Sequence, residues 1–459
     1  MYPTSKRTYH RHGRNTPRHK QTRKQFPRRA IHGKILAHHR AGWKIIHIHG
    51  SAFERGFAHG YLLHRELSRL HRAFMGLFGD MYEPDDYPAF QSICKNHIHP
   101  VLRAHYPEYE TELRGMVAGA NHHGIRITLE FLVEWNSLLS VDGALPSSKH
   151  KSSKRRERCS AFIATGSATQ HGDIVMAHNT HFAYSFAPFS HIVQYMTPAN
   201  GHAFCMQTLP GLLCSSVDWF ITGAGIVGCE STIADTTYTP DFTQHPYFCR
   251  IRQAMQYASS LDQYVETMTH SNAGDYPCAW LFGDIHTGEI MLLELGLRTR
   301  NMERKKNGVF YTANRAIGRD ILSKETDDSH RAEPTTSSGA RMIRLRELLT
   351  QTYHGKIDAA IAKRILADHY DVSLQKIHKG PRSICRHMEC SSEAFGTHPP
   401  KDAYGTIDGK VVTTAMAKKM RFWGRQGSSC GGGDSRKECN DAVHPPIFPW
   451  TLLDNRSGR

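Results

Sequence analysis

Two observations predict an α+β protein. The first third of the chain carries apolar residues at helical spacing. From Cys159 onward the texture changes to short β-runs, separated by turns and interrupted by pairs of helices. Regular βαβ alternation is missing, so layered strands and helices are expected rather than a doubly wound parallel sheet. The 459 residues, 39% of them hydrophobic, suffice for a large core. No apolar run reaches the roughly 18 residues that a membrane-spanning helix needs.

Residues 1–49 read as a disordered basic tail. The first 53 residues hold 13 Lys and Arg and no Asp or Glu, so the net charge of +16 leaves only +3 for the rest. Pro3, Pro17 and Pro27, with almost no apolar residue before Ile31, argue against packing there. Such an arm can bind an anionic membrane surface through phosphate contacts. It lacks aromatic interleaving and any base-reading motif, so specific nucleic-acid binding is not expected. Its Arg-rich, acid-poor composition is also that of an organelle transit peptide, and the apolar stretch of a secretory signal peptide is missing.

Residues 50–143 read as a helical N-terminal portion that serves as scaffold. Phe53, Phe57, Leu62, Leu63, Leu67 and Leu70 recur at helical spacing, with Glu54, Arg55, Arg65 and Arg69 between them. Further helices are expected over 87–104, 107–121 and 129–139. Pro107 with Glu108 and Glu110 gives a start signal and Gly124 a stop. Residues 144–158 form a linker; from Ser147 to Arg158 it is polar and charged throughout, so exposure is expected.

The remainder, 159–459, begins abruptly as sheet. Cys159 opens one strand, Gln170-His171-Gly172-Asp173 makes a turn, and the apolar run from Ile174 to Ala177 returns to end in His178-Asn179-Thr180-His181 beside Cys159. Strands follow over 192–197, 202–209, 219–222 and 226–233, then helices over 247–260 and 261–271. A hairpin pairs 280–284 with 289–295. Val309-Phe310-Tyr311 leads into Thr312-Ala313-Asn314-Arg315, a helix near Gly339 carries Arg341, and another covers 358–367. No repeat of 20–50 residues is visible.

Eleven cysteines show no CxxC pair. Cys385 and Cys390 with His387 between them fit no standard zinc spacing, so no metal is expected. Cys430 and Cys439 flank a glycine-rich loop and could close a local disulfide in an oxidising compartment. For Cys159, a buried structural thiol is the plain reading.

An ordered series of motifs points further. Cys159-Ser160-Ala161, His178-Asn179-Thr180, Gly225-Ile226-Val227 and Glu230-Ser231-Thr232-Ile233 are followed by the block from Tyr404 to Val411, Met416-Ala417-Lys418 and Pro445-Pro446. In this order they resemble the phospholipase B-like family of N-terminal nucleophile (Ntn) hydrolases, related to acyltransferase-type and choloylglycine-type amidases. The resemblance runs from about Gly50 to the C-terminus. It implies a four-layer αββα sandwich and self-cleavage between Arg158 and Cys159. The freed α-amine, whose reference pKa is about 7.7–8.0, would then take the proton of the thiol, whose reference value is about 8.5.

The resemblance also implies roles for individual residues. Asn314 would donate to the oxyanion, and Arg341 would lie beside the nucleophile. His178, Asn179, His181, Asp218, Ser231 and Thr232 would line or support the pocket. His181 departs from the family, where an aromatic residue, usually tryptophan, is common. No metal or organic cofactor is implied. The expected substrate is an acylated small molecule or phospholipid, cleaved at an ester or amide bond. The alternatives are an N-acyl amidase or acyltransferase passing the acyl group to an amine, and an unprocessed, non-catalytic polyanion- or lipid-binding member. The family implies a secreted or lysosomal route, which the absence of a visible signal peptide does not support.

Overall fold

Alternation of apolar side chains along the strands builds two large sheets among the described residues, each with both faces covered. The computed structural model describes residues 31–141, 143–146, 158–215, 219–328, 332–388, 404–432 and 445–456, and His32–Arg459 form one unit. The chain begins with β1 (Gly33–Arg40) and β2 (Trp43–Gly50), followed by α1 (Ala52–Leu62), α2 (His64–Met81), α3 (Tyr87–Ile93), α4 (His99–His105), α5 (Pro107–His122) and α6 (Leu129–Ser137). Then come β3 (Cys159–Gly166), β4 (Gly172–Ala183), β5 (Ile192–Pro198), β6 (Phe204–Thr208), β7 (Trp219–Thr222) and β8 (Ile226–Thr232). Helices α7 (Tyr247–Tyr257) and α8 (Leu261–Thr269) precede β9 (Cys278–Asp284), β10 (Glu289–Leu295), β11 (Arg300–Lys305) and β12 (Gly308–Thr312). Next are α9 (Arg319–Glu325), α10 (Ser337–Glu347), α11 (Ala359–Leu366) and the short pair β13 (Tyr370–Asp371) and β14 (Lys376–Ile377). Last come β15 (Tyr404–Thr413), α12 (Thr414–Ala417), β16 (Phe422–Gln426) and β17 (Thr451–Leu453).

The architecture is α+β. A nine-stranded sheet runs β1-β2-β5-β6-β7-β8-β9-β10-β11, and a six-stranded sheet runs β12-β3-β4-β15-β16-β17. One buried cluster joins the sheets: Ile45, Val193, Ile221 and Leu281 of the first meet Ala161, Ile163, Met176 and Val412 of the second. The other face of the nine-stranded sheet packs Ile46, Met206, Phe220 and Phe282 with Leu67, Leu113, Phe248 and Tyr264 of the helices. The other face of the six-stranded sheet packs Phe162, Val175 and Val411 against Leu345 of α10 and Ile365 of α11. Among the described residues, no helix is long and apolar enough to cross a membrane.

The expected tail ends too late. Residues 33–50 form β1 and β2, and β2 pairs in parallel with β5. Trp43, Ile45, Ile46 and Ile48 are buried, so this strand is sealed on both faces. Charge counting over the whole basic segment hid the short apolar run Trp43-Lys44-Ile45-Ile46-His47-Ile48. Residues 1–30 and 147–157, where the rest of the tail and most of the linker fall, lie outside the described residues.

Arg55 is also misplaced by the sequence reading, which set it between apolar positions. It is buried and donates to Glu112 at 2.5 Å and Glu108 at 2.6 Å, while Arg252 donates to Glu112 from the other side at 3.0 Å. The cause is a glycine seam. Gly56 and Gly60 on α1 face Gly115 and Gly119 on α5, and a Cβ at Gly60 would lie 2.0 Å from the Met116 carbonyl oxygen. Without side chains in between, the helix backbones touch, and α1 turns Arg55 inward while Phe53 and Phe57 stay half-buried. Gly60→Val should force the helices apart and lower the unfolding free energy by about 1–3 kcal/mol, the usual cost of overpacking. Urea denaturation checks this; an unchanged midpoint would contradict a tight seam.

Candidate active site

Three strands carry the residues around Cys159. β3 and β4 pair with Cys159 opposite Thr180, Ser160 opposite Asn179 and Ala161 opposite His178. On the other side, β12 pairs Thr312 with Ala161. Continuing that register two residues brings Asn314 level with Cys159. Strand alternation puts Cys159 on the face of Ala161 and Ile163, between the sheets, and Ser160 on the face of Phe162, toward α10.

Asn314 is the junction. Its φ of 68° is left-handed, a conformation asparagine tolerates better than most residues, and the chain turns out of β12 there. Its backbone N–H donates to Ser231 Oγ at 3.0 Å and its Nδ2 to the Thr232 carbonyl at 3.0 Å. Its Oδ1 accepts from the Cys159 N–H at 3.3 Å and from Arg341 Nη2 at 3.0 Å. Arg341 Nη1 donates to the Cys159 carbonyl at 2.6 Å and to Ser160 Oγ at 2.9 Å. The carbonyl before Cys159, that of Arg158, accepts from the His181 N–H. Atoms on both sides of the Arg158–Cys159 peptide bond are therefore held, in a place where Cys159, Asn314 and Arg341 are all buried.

His178, Asn179 and His181 divide between the two faces of β4. His178 Nε2 bonds the Glu230 carbonyl at 3.0 Å, in the nine-stranded sheet. Asn179 Nδ2 donates to the carbonyls of Leu366 at 2.8 Å and Ile384 at 3.1 Å, and its Oδ1 accepts from Ser429 Oγ at 2.5 Å. His181 Nε2 bonds the Ile384 carbonyl at 3.1 Å. Burial, then the charge of Lys410, holds the His178 imidazole well below its usual range. Burial, then Arg341 and Arg386, does the same to His181. Both rings stay neutral near pH 7 and are weak bases.

An apolar cleft opens one residue beyond His181. Phe182, Phe186, Leu209, Leu212, Ile407 and Trp135 line it, among others, and it encloses about 450 Å³ with its open mouth included. Arg158 lays its guanidinium over the ring of Phe182, one of the cleft-lining residues, at 5.4 Å from the centroid.

The structure thus brings Arg158, Cys159, Asn314, Arg341, Ser231 and Thr232 together, with His178 and His181 at their edge. His178, Asn179 and His181 are not cleft-lining residues. Asp218 lies outside the described residues. Sequence reasoning missed Ser160, which anchors Arg341, although its place directly after Cys159 on a strand puts it on the helix side. It also missed Glu230 and Tyr276: Tyr276 donates to Glu230 at 2.9 Å and lies 3.0 Å from Thr232 Oγ1. Nothing in their spacing marks that pair.

No protein-family model matches the chain. An uncharacterized protein of Archaeoglobus fulgidus is 25% identical over 255 residues, spanning 53% of this chain and 41% of the relative. The chain thus spans less than half the length of the curated relative it matches. Two crystal structures of conjugated bile acid hydrolase from Clostridium perfringens, both point-substituted forms, align at 11% identity with a TM-score of 0.35. They cover 64% and 65% of this chain and 97% and 98% of theirs. At that score the likeness carries no argument about fold or chemistry.

The buried histidines make acid destabilising. His59 Nε2 accepts from the Gly211 N–H at 2.8 Å, its Nδ1 lies 2.8 Å from Gln194 Oε1, and burial pushes its pKa down to about 4. Its folded pKa lies below the unfolded value of about 6.5, so the unfolded chain binds protons that the folded chain refuses. Stability is therefore expected to fall as pH drops below about 6.5, with His59 alone contributing on the order of 3 kcal/mol by about pH 4. His178 and His181 act in the same direction. Chemical denaturation at stepped pH measures this; stability unchanged from about pH 7 to about pH 5 would contradict it.

Proposed function

We propose that this chain is a self-processing cysteine hydrolase of the Ntn type, acting on an ester or amide bond of an acylated substrate. The observation that carries the reading is the grip on one peptide bond. The Arg158 carbonyl, the Cys159 nitrogen and the Cys159 carbonyl are each held, by the His181 N–H, Asn314 Oδ1 and Arg341 respectively. A merely structural cysteine needs none of these contacts. The helix–sheet–sheet–helix order of the three apolar clusters supports the four-layer αββα reading.

Processing starts when the Cys159 sulfur attacks the Arg158 carbonyl carbon. The negative charge that develops on the Arg158 oxygen meets the His181 N–H already bonded to it. The C–N bond then breaks, the nitrogen keeps the electron pair and takes the proton, and a thioester joins Arg158 to the sulfur. Water hydrolyses that thioester, leaving the Arg158 carboxylate and a Cys159 with a free α-amine.

During turnover the amine is the base. Asn314 Oδ1, which accepts from the same nitrogen in the intact chain, would orient it toward the thiol on the same residue. The fixed charge of Arg341 favours the thiolate and keeps the amine neutral. One Nδ2 hydrogen of Asn314 is spent on Thr232; the other supplies the oxyanion donor. Neither His178 nor His181 serves as the base, because both are buried and their pKa values are lowered.

The apolar cleft favours an acyl chain as the recognised part of the substrate, and the phospholipase B-like reading places a glycerophospholipid there. The basic segment before Ile31 would hold the enzyme near anionic lipid. Product analysis with an added amine separates hydrolysis from acyl transfer.

Wild-type protein is expected to mature into 1–158 and 159–459, with Cys159 as a new N-terminus. Cys159→Ala stays a single chain, and Cys159→Ser, with a weaker nucleophile, is cut slowly. Intact mass with N-terminal sequencing reads this; an active wild-type protein with Arg158–Cys159 uncut would overturn the mechanism. Asn314→Ala is expected to lower turnover by about 10²–10³, as for loss of an oxyanion donor. Steady-state kinetics on the separately confirmed, cleaved variant checks it, and wild-type kcat would remove Asn314 from the site.

A further inference from the structure

Cys385 and His387 belong to a cluster that their own spacing does not reveal. With His369 and Cys430 they place four ligand atoms within 4.8 Å of one another. The Cys385 Sγ lies 3.5 Å and the Cys430 Sγ 3.6 Å from the same atom, His387 Nε2. The His369 and His387 rings are 5.1 Å apart, and His369 Nε2 is buried. Zinc–sulfur bonds of about 2.3 Å and zinc–nitrogen bonds of about 2.0–2.1 Å, at tetrahedral angles, separate sulfur from nitrogen by about 3.5–3.6 Å. We propose that His369, Cys385, His387 and Cys430 bind a single zinc ion as a closed Cys₂His₂ structural site. All four positions are taken by protein, so no position is left for substrate, and two thiolates balance the ion's charge.

The site has a task in this fold. Asn179 is held by the carbonyls of Leu366 and Ile384 and by the Ser429 hydroxyl, and His181 by the Ile384 carbonyl. Each of those three anchors stands within three residues of a ligand: Leu366 before His369, Ile384 before Cys385, Ser429 before Cys430. The ion thus fastens together three distant chain segments that hold the end of β4 opposite Cys159. A disulfide between Cys385 and Cys430 would join only two of them and would leave both imidazoles unexplained.

The test is elemental analysis of the full chain, purified without chelator, alongside His369→Gln and Cys430→Ser. One zinc per wild-type chain and its loss from both variants are expected. Should either variant fail to fold, wild-type protein stripped with chelator and refilled with cobalt gives a second readout: thiolate-to-cobalt absorption of a tetrahedral centre. A reduced wild-type chain that takes up neither metal overturns the proposal, as does peptide mapping that finds Cys385 and Cys430 joined. Metal content is read without turnover, so the result stands apart from the role of Cys159.

Discussion

Asn314 ties the two sheets together beside Cys159. Its main-chain N–H and side-chain amide bond Ser231 and Thr232 of the nine-stranded sheet, and its carbonyl accepts from Ala234 at 3.2 Å. Its Oδ1 takes the Cys159 nitrogen and the Arg341 guanidinium of the other side. A left-handed residue other than glycine costs up to about 1–2 kcal/mol, and asparagine less than most. Five hydrogen bonds at about 0.5–1.5 kcal/mol each exceed that cost. Strain and satisfaction balance here in favour of one fixed geometry.

The buried Arg341 depends on that geometry. A guanidinium leaves water at a cost of several kcal/mol, so it must recover hydrogen bonds in full. Cys159, Ser160 and Asn314 supply acceptors in two directions, and Ser337 lies under the Nε at 3.2 Å. The charge is thereby held against the Cys159 carbonyl and the Ser160 hydroxyl. Glu112 shows the opposite solution elsewhere in the chain: there a buried carboxylate answers two arginines directly. At Cys159 the acceptors named are neutral, so Arg341 meets carbonyl, hydroxyl and amide oxygens there rather than a carboxylate.

Much of this was legible in the sequence where period and punctuation agree. The Cys159 hairpin, the 219–222 strand and the paired helices after Tyr247 follow from alternation and turn residues, and their register then places His178 and Thr180. Asn314 and Arg341 came from the motif resemblance, since a TANR turn and a helix arginine are ordinary in isolation. Two kinds of feature stayed hidden. The β2 strand was masked by the charge around it, and the α1–α5 seam works through missing side chains, which an apolar count cannot register. His369 and Cys430 were invisible for another reason: their partnership with Cys385 exists only after α11, the strap before β15 and the loop after β16 have folded onto β4.

On the proposed mechanism the Cys159 sulfur carries the acyl group. The most direct measurement is to mix the cleaved enzyme with a long-chain acyl ester or amide, quench in acid and map peptides by mass spectrometry. An acyl adduct on the peptide beginning at Cys159, discharged when the quench is delayed, is expected. Turnover of the same substrate with the adduct on another residue, or with Cys159 unmodified throughout, would contradict it.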